Sequence, residues 1–258
     1  MIVPDLLGYD GTDKPTDPAE YRWDKMLPDL IDIADHENAI KLISIGHDFG
    51  SVCVSHLYAP YAPPGRQPFD LEAFNEMTKR IYGHTLFAYW HLFTAEDGPD
   101  ILKHDLNRLY DALHGQGETL KNMFCVKDAL LNHLLGNGPD IPIRPYAEDP
   151  ALRKAFVDRF SRDGFEGPQC WYRARRLNYQ YDADKELPMD RDTVTVPTLF
   201  VGGKDDAVCR PENMNPHIEA GLLPKLQHKY MLEAAHWIPI ERPKELVAYI
   251  EPWLKDNF

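Results

Sequence analysis

Apolar positions along the chain follow two rhythms. Near both ends, short apolar runs of strand length alternate with stretches of helical period, while in the middle only the helical period persists. "IVPDL" (2–6) and "KLISIG" (41–46) read as short strands, the second of them buried, and "PAEYRWDKMLPDLIDIADHEN" (18–38) between them reads mostly as helix. The alternation resumes late in the chain. "TVPTLFVGG" (195–203) is a predicted strand, "PENMNPHIEAGL" (211–222) a helix, "LQHKYMLEAA" (226–235) a strand and "PKELVAYIEPWLKDNF" (243–258) a closing helix. Strands alternating with helices predict a parallel sheet covered by helices on both faces. Between these zones lie long helical stretches such as "LEAFNEMTKRIYGHTLFAYWHLF" (71–93) and "DILKHDLNRLYDALHG" (100–115), entered through the proline-rich "YAPYAPPGRQPFD" (58–70). The expected organisation is an α/β core in two parts, 1–60 and 187–258, with a helical cap, 61–186, inserted between them.

Composition narrows the class. The 258 residues suffice for one core with an inserted lid, and 43% hydrophobic against 27% charged is a globular balance. A formal net charge of −13 argues against nucleic-acid or anionic-membrane partners, which require a basic surface. No run approaches the roughly 20 apolar residues of a membrane span, and the N-terminus lacks the pattern of a signal peptide. Cys53, Cys125, Cys170 and Cys209 are scattered without C-x-x-C pairing. They read as reduced thiols of a cytoplasmic protein rather than as a disulfide framework or a zinc site. Eleven histidines show no spacing typical of metal ligands.

Candidate chemistry centres on "LISIGHDFGSV" (42–52), an apolar run that stops at Gly46 and turns toward a helix, with Asp48 in the middle of Gly-x-Asp-x-Gly. Alone, Asp48 could simply cap the helix that follows. Two further residues change the balance. Asp205 in "LFVGGKDDAV" and His236 in "YMLEAAHWIPI" each stand just beyond a predicted strand. Carboxyl ends of parallel strands are where such folds gather catalytic groups, and nucleophile, acid and histidine follow one another in hydrolase order. A carboxylate nucleophile suits an electrophilic sp³ carbon. Serine there would leave a dead ether, whereas aspartate leaves an ester that histidine-activated water can cleave.

These segments resemble the α/β-hydrolase-fold epoxide hydrolases, including fungal members, over nearly the whole chain from "VPDLLGYDGTDKP" (3–15) to the last helix. The resemblance implies an α/β-hydrolase fold with an inserted helical cap, a small apolar epoxide and water as reactants, and neither cofactor nor metal. It makes Asp48 in "GHDFG" the nucleophile, Asp205 in "GGKDD" the charge-relay acid with Asp206 the less favoured occupant, and His236 in "AAHW" the general base. It also places the two tyrosines that donate to the oxirane oxygen at Tyr89 in "FAYWHLF" and Tyr172 in "GPQCWYRA". Trp90, Phe49 and Trp237 then line an apolar pocket.

Two parts of the family pattern are missing. No His-Gly-x-Pro loop occurs, so the backbone N–H of Phe49 is the remaining expected oxyanion donor, and losing one such donor costs roughly 10²–10³ in rate. The chain opens at what resembles the family's fourth strand. "SVCVSHLYAPYAPPG" (51–65) then leads from a short helix almost directly into the cap, without the intervening core strand. A shortened sheet exposes unpaired edges. The expected responses are direct pairing of its fourth and fifth strands or homodimerisation through the open edge, with weak turnover. Two rivals remain: a dehalogenase of the same fold, and a catalytically impaired remnant acting as a binding protein.

Overall fold

The structure is a computed structural model that describes residues 1–49 and 60–258. It divides into two compact units, Met1–Met26 with Gln67–Asp182, and Leu27–Arg66 with Ala183–Phe258. The short helix expected after the elbow lies outside the described residues.

The first unit is helical, and its breaks follow local chemistry. Helix Leu71–Tyr82 begins where Asp70 Oδ1 accepts the N–H groups of Glu72 and Ala73, and it ends at Gly83, whose φ of 77° suits glycine. The stretch expected to run on from it resumes only as the single turn Trp90–Phe93. Helices Gly98–His104 and Leu106–Leu113 are separated by Asp105, which caps the second of them. Met1–Met26 packs with this unit, whereas its strand-and-helix pattern predicts a place in the α/β core. Tyr21 is fully buried and meets the Trp171 ring edge-on, and Trp171 Nε1 donates to Leu7 O at 2.9 Å. Gly8 (φ 89°) lets the two backbones touch, since a Cβ there would lie 3.1 Å from the carbonyl carbon of Gly167. "IVPDL" forms no strand; residues 1–6 are irregular.

The second unit holds the sheet. Strands β1 (Thr198–Gly203) and β2 (Leu226–Leu232) pair in parallel. All six residues of β1 are buried. Alternate side chains enter two clusters: Leu199 and Val201 pack with Leu232, Ile238, Leu246 and Trp253, while Phe200 packs with Tyr61, Met214 and Leu223. Burial on both faces is what parallel sheets require, and it explains why β1 reads as an unbroken apolar run. The closing helix, Pro243–Asn257, covers one face.

"KLISIG" departs from expectation. It is neither strand nor core: Leu42, Ile43 and Ile45 are 58%, 45% and 54% exposed, and no described strand pairs with it. A strand exists only through a neighbour's hydrogen bonds, so an apolar run without one stays irregular. The expected direct pairing of the fourth strand with the fifth is not seen among the described residues, whose sheet holds β1 and β2. Helix Trp23–His36 likewise leaves Leu27 and Ile31 about half exposed, at 49% and 51%. No helix among the described residues is long and apolar enough to cross a membrane.

Candidate active site

Three loops of the second unit converge beyond the ends of β1 and β2. Asp48 sits at the turn after the irregular apolar run, with φ 51° in the left-handed region, where few residues other than glycine rest. Gly203 closes β1 against the loop after β2, and a Cβ there would lie only 2.2 Å from Ala235 O and 2.8 Å from Ala234 O. The chain then hydrogen-bonds across, with Lys204 N donating to Leu232 O and Asp205 N to Ala234 O. This close approach places the β1 loop beside His236.

His236 Nδ1 pairs with Asp206 Oδ2 at 2.9 Å. The partner is therefore Asp206 and not the expected Asp205, whose side chain faces solvent. The reason is local. Asp206 lies between the β1 turn and the buried Ala207 and Val208, and its Oδ1 accepts the N–H groups of Val208 (2.9 Å) and Cys209 (2.8 Å). Asp205 follows Lys204, which is spent on an exposed pair with Glu233. The far nitrogen of the imidazole, Nε2, stands 3.8 Å from Asp48 Oδ1. Asp48, His236 and Asp206 thus form a relay of carboxylate, imidazole and carboxylate.

The backbone around His236 is held from two sides. Glu241 accepts the N–H of Ala235 with one carboxylate oxygen and that of Trp237 with the other, both at 3.0 Å. His47 Nε2 donates to His236 O at 2.8 Å, and its ring lies 4.8 Å from the His236 ring and 5.5 Å from Trp237. Neither His47 nor Glu241 stood out in the sequence, although His47 sits inside the elbow motif and Glu241 ends the helical turn Ile238–Glu241 that follows His236. Trp237 is half-buried against both histidines, and Phe49 is half-buried directly after Asp48.

The charges are coupled. Burial works against a charged His236, yet the carboxylates of Asp206, Asp48 and Glu241 outweigh it and push the imidazolium up to about 9. Burial opposes the charge of Asp206 as well, but His236 and the two backbone N–H groups hold its carboxyl below the usual range. His47 is kept below its ordinary value by burial and then by the neighbouring His236. These surroundings keep His236 protonated at neutral pH. Loss of the Asp48 charge would remove one of the groups that keep it so.

The first unit brings the two predicted tyrosines together. Tyr89 and Tyr172 have ring centroids 5.9 Å apart at 81°, and both rings pack edge-on against Phe93. Tyr172 lies on helix Glu166–Arg176, which Arg173 and Arg176 tie to Ala95 O and Thr94 Oγ1 just beyond the Trp90–Phe93 turn. Trp90 departs from its expected lining role. Its indole is 1% exposed, stacked on Phe87 and perpendicular to Tyr172, so it backs the tyrosine ring from within the core.

No protein-family model matches the chain. It is similar to bifunctional epoxide hydrolase 2 of Sus scrofa, 24% identical over 284 aligned residues covering all of this chain and 46% of that protein. It is also similar to epoxide hydrolase A of Mycobacterium tuberculosis, 25% identical over 98% of this chain and 81% of the relative. Among solved structures, an epoxide hydrolase from an endophytic Streptomyces superposes with a TM-score of 0.73 at 26% identity, covering 97% of this chain and 79% of that one. The chain spans about half the length of the pig, rat and mouse relatives it matches.

Proposed function

We propose, from its likeness in sequence and fold to the α/β-hydrolase epoxide hydrolases, that the chain is one of them and opens an epoxide to a vicinal diol through an alkyl ester on Asp48. The observation that carries the reading is the relay in the second unit: Asp48 Oδ1 stands 3.8 Å from His236 Nε2, and His236 Nδ1 stands 2.9 Å from Asp206. A carboxylate oxygen of Asp48 attacks an oxirane carbon as the ring C–O bond breaks, and the leaving alkoxide takes a proton from a phenol. Esterification removes the charge of Asp48, so His236 is held protonated less firmly; its proton returns to the phenolate by way of solvent, and the neutral ring can serve as base. It then takes a proton from water as the oxygen of that water attacks the ester carbonyl. The diol leaves with both of its oxygens attached, and Asp48 keeps one oxygen from water. Asp206 orients the imidazole throughout and compensates its charge.

The test is a single turnover in heavy-oxygen water with excess enzyme over an aryl epoxide. Label should enter the Asp48 carboxylate. Label confined to the diol would mean direct attack by water and would end the ester reading.

Tyr89 and Tyr172 take the donor role by their match to the family's cap motifs and by their mutual packing. A phenol is a good donor that stays neutral at pH 7. Tyr89→Phe and Tyr172→Phe should each slow ester formation, by about 10²-fold if general acid assistance is lost. Breakdown of a preformed ester should hardly change. Rapid-quench rates separate the two steps, and ester formation at the wild-type rate in both variants would remove the tyrosines from the mechanism.

A further inference from the structure

Cys209 has no part in this reaction, yet it stands among its reacting groups. Its Sγ lies 3.4 Å from Asp48 Oδ1, the same oxygen that faces His236 Nε2 at 3.8 Å. One ligand atom from each of Asp48, Cys209 and His236 lies within 4.8 Å of the other two. Zinc binds sulfur at about 2.3 Å and nitrogen or carboxylate oxygen at about 2.0–2.2 Å in a tetrahedron, which sets ligand atoms roughly 3.3–3.7 Å apart. The two measured edges are already close to those of a coordinated ion.

We propose that Asp48, Cys209 and His236 form a binding site for a thiophilic divalent cation, zinc above all, with water as the fourth ligand. The outer contacts are those of a built site. Metal-bound histidines typically hold their second nitrogen against a carboxylate, and Asp206 does so here at 2.9 Å. The other oxygen of Asp206 accepts the Cys209 N–H at 2.8 Å, so one buried carboxylate braces two of the three ligands. Side-chain exposures of 34% for Asp48 and 16% for His236 leave a way in for the ion and its water. Sulfur and imidazole favour zinc, cobalt and cadmium over magnesium and calcium. On binding, the thiol proton of Cys209 and the imidazolium proton of His236 pass to solvent, and the ion takes the thiolate, the neutral ring nitrogen and the carboxylate. Resting on the mechanism proposed above, the consequence for catalysis is reversible inhibition, because the ion takes both the nucleophilic oxygen and the nitrogen that must activate water.

The experiment reads binding without any turnover. Cobalt(II) is titrated into the full chain while thiolate-to-cobalt charge-transfer absorption is followed, and zinc is then added to displace it. The wild type should develop the band at one equivalent and lose it to zinc. Cys209→Ala should abolish the band and weaken zinc binding by at least about tenfold, and Asp206→Asn should keep the band while weakening binding about 10–100-fold. Cys125→Ser, which alters a buried thiol of the other unit, should bind as wild type does. Absence of the band from folded wild-type protein would overturn the site, whatever the variants do. A band that survives in Cys209→Ala would overturn it equally. Where epoxide turnover is measurable, zinc should inhibit the wild type and a chelator should restore it. A chain that binds cobalt through Cys209 but opens no epoxide would keep the metal site and refute only the catalytic reading.

Discussion

Replacing His236 with Gln should turn the protein into a trap that reacts once and stops. The alkylation step needs the Asp48 carboxylate and a proton donor, and neither is the imidazole. The second step needs a base, and glutamine offers none. Steady-state turnover should fall by at least about 10³-fold, in line with the loss of a single member of a catalytic relay. The peptide carrying Asp48 should meanwhile gain the mass of the epoxide, in a bond that hydroxylamine cleaves. Gln leaves Asp206 without its charged partner but with its two backbone donors, so circular dichroism must first establish that the variant is folded. A folded variant without adduct, or one that keeps turning over, would strip His236 of its role.

The second large effect is structural in origin. Gly203 carries the close approach that brings the β1 loop to His236, with Ala235 O at 2.2 Å from where a Cβ would stand. That neighbour is backbone and cannot swing aside. Gly203→Val should therefore push the two strand ends apart, costing about 1–3 kcal/mol as overpacking does. Separation of Asp206 from His236 by even 1 Å should cost on the order of 10²-fold in rate. It should also bring the imidazole down from about 9 toward its ordinary 6.5, because the largest favourable charge recedes. Urea unfolding and the NMR titration of the His236 ring read the two consequences separately. An unchanged titration in a folded Val variant would show that Gly203 does not set the pair.

Much of this was legible because the relevant signals are local. The β1 run is apolar at every position from Leu199 to Val201, and both of its faces are buried. The helical period around residues 71–82 and 100–113 was legible too, though period alone carried one helix through Asp105, where the aspartate in fact caps a new one. What stayed hidden depended on partners distant in the chain. "KLISIG" has the composition of a strand, but composition supplies no neighbour. Asp205 and Asp206 are adjacent and chemically identical, so the strand pattern alone could not choose between them. The better cue was flanking polarity, with Lys204 drawing Asp205 to solvent and Ala207–Val208 drawing Asp206 inward. Cys209 looked like one scattered thiol among four, and only folding sets it against an aspartate 161 residues away.

Asp48 holds its place at a cost to the fold. Its φ of 51° is a conformation that costs most L-residues roughly 1–2 kcal/mol and glycine almost nothing. Selection for a sturdier fold and selection for chemistry pull this position in opposite directions. An engineer ranking substitutions by stability alone would find glycine at 48 among the most attractive. Such a variant would gain durability by discarding the one carboxylate on which the proposed reaction depends, so any programme to harden this protein has to hold position 48 fixed and look elsewhere.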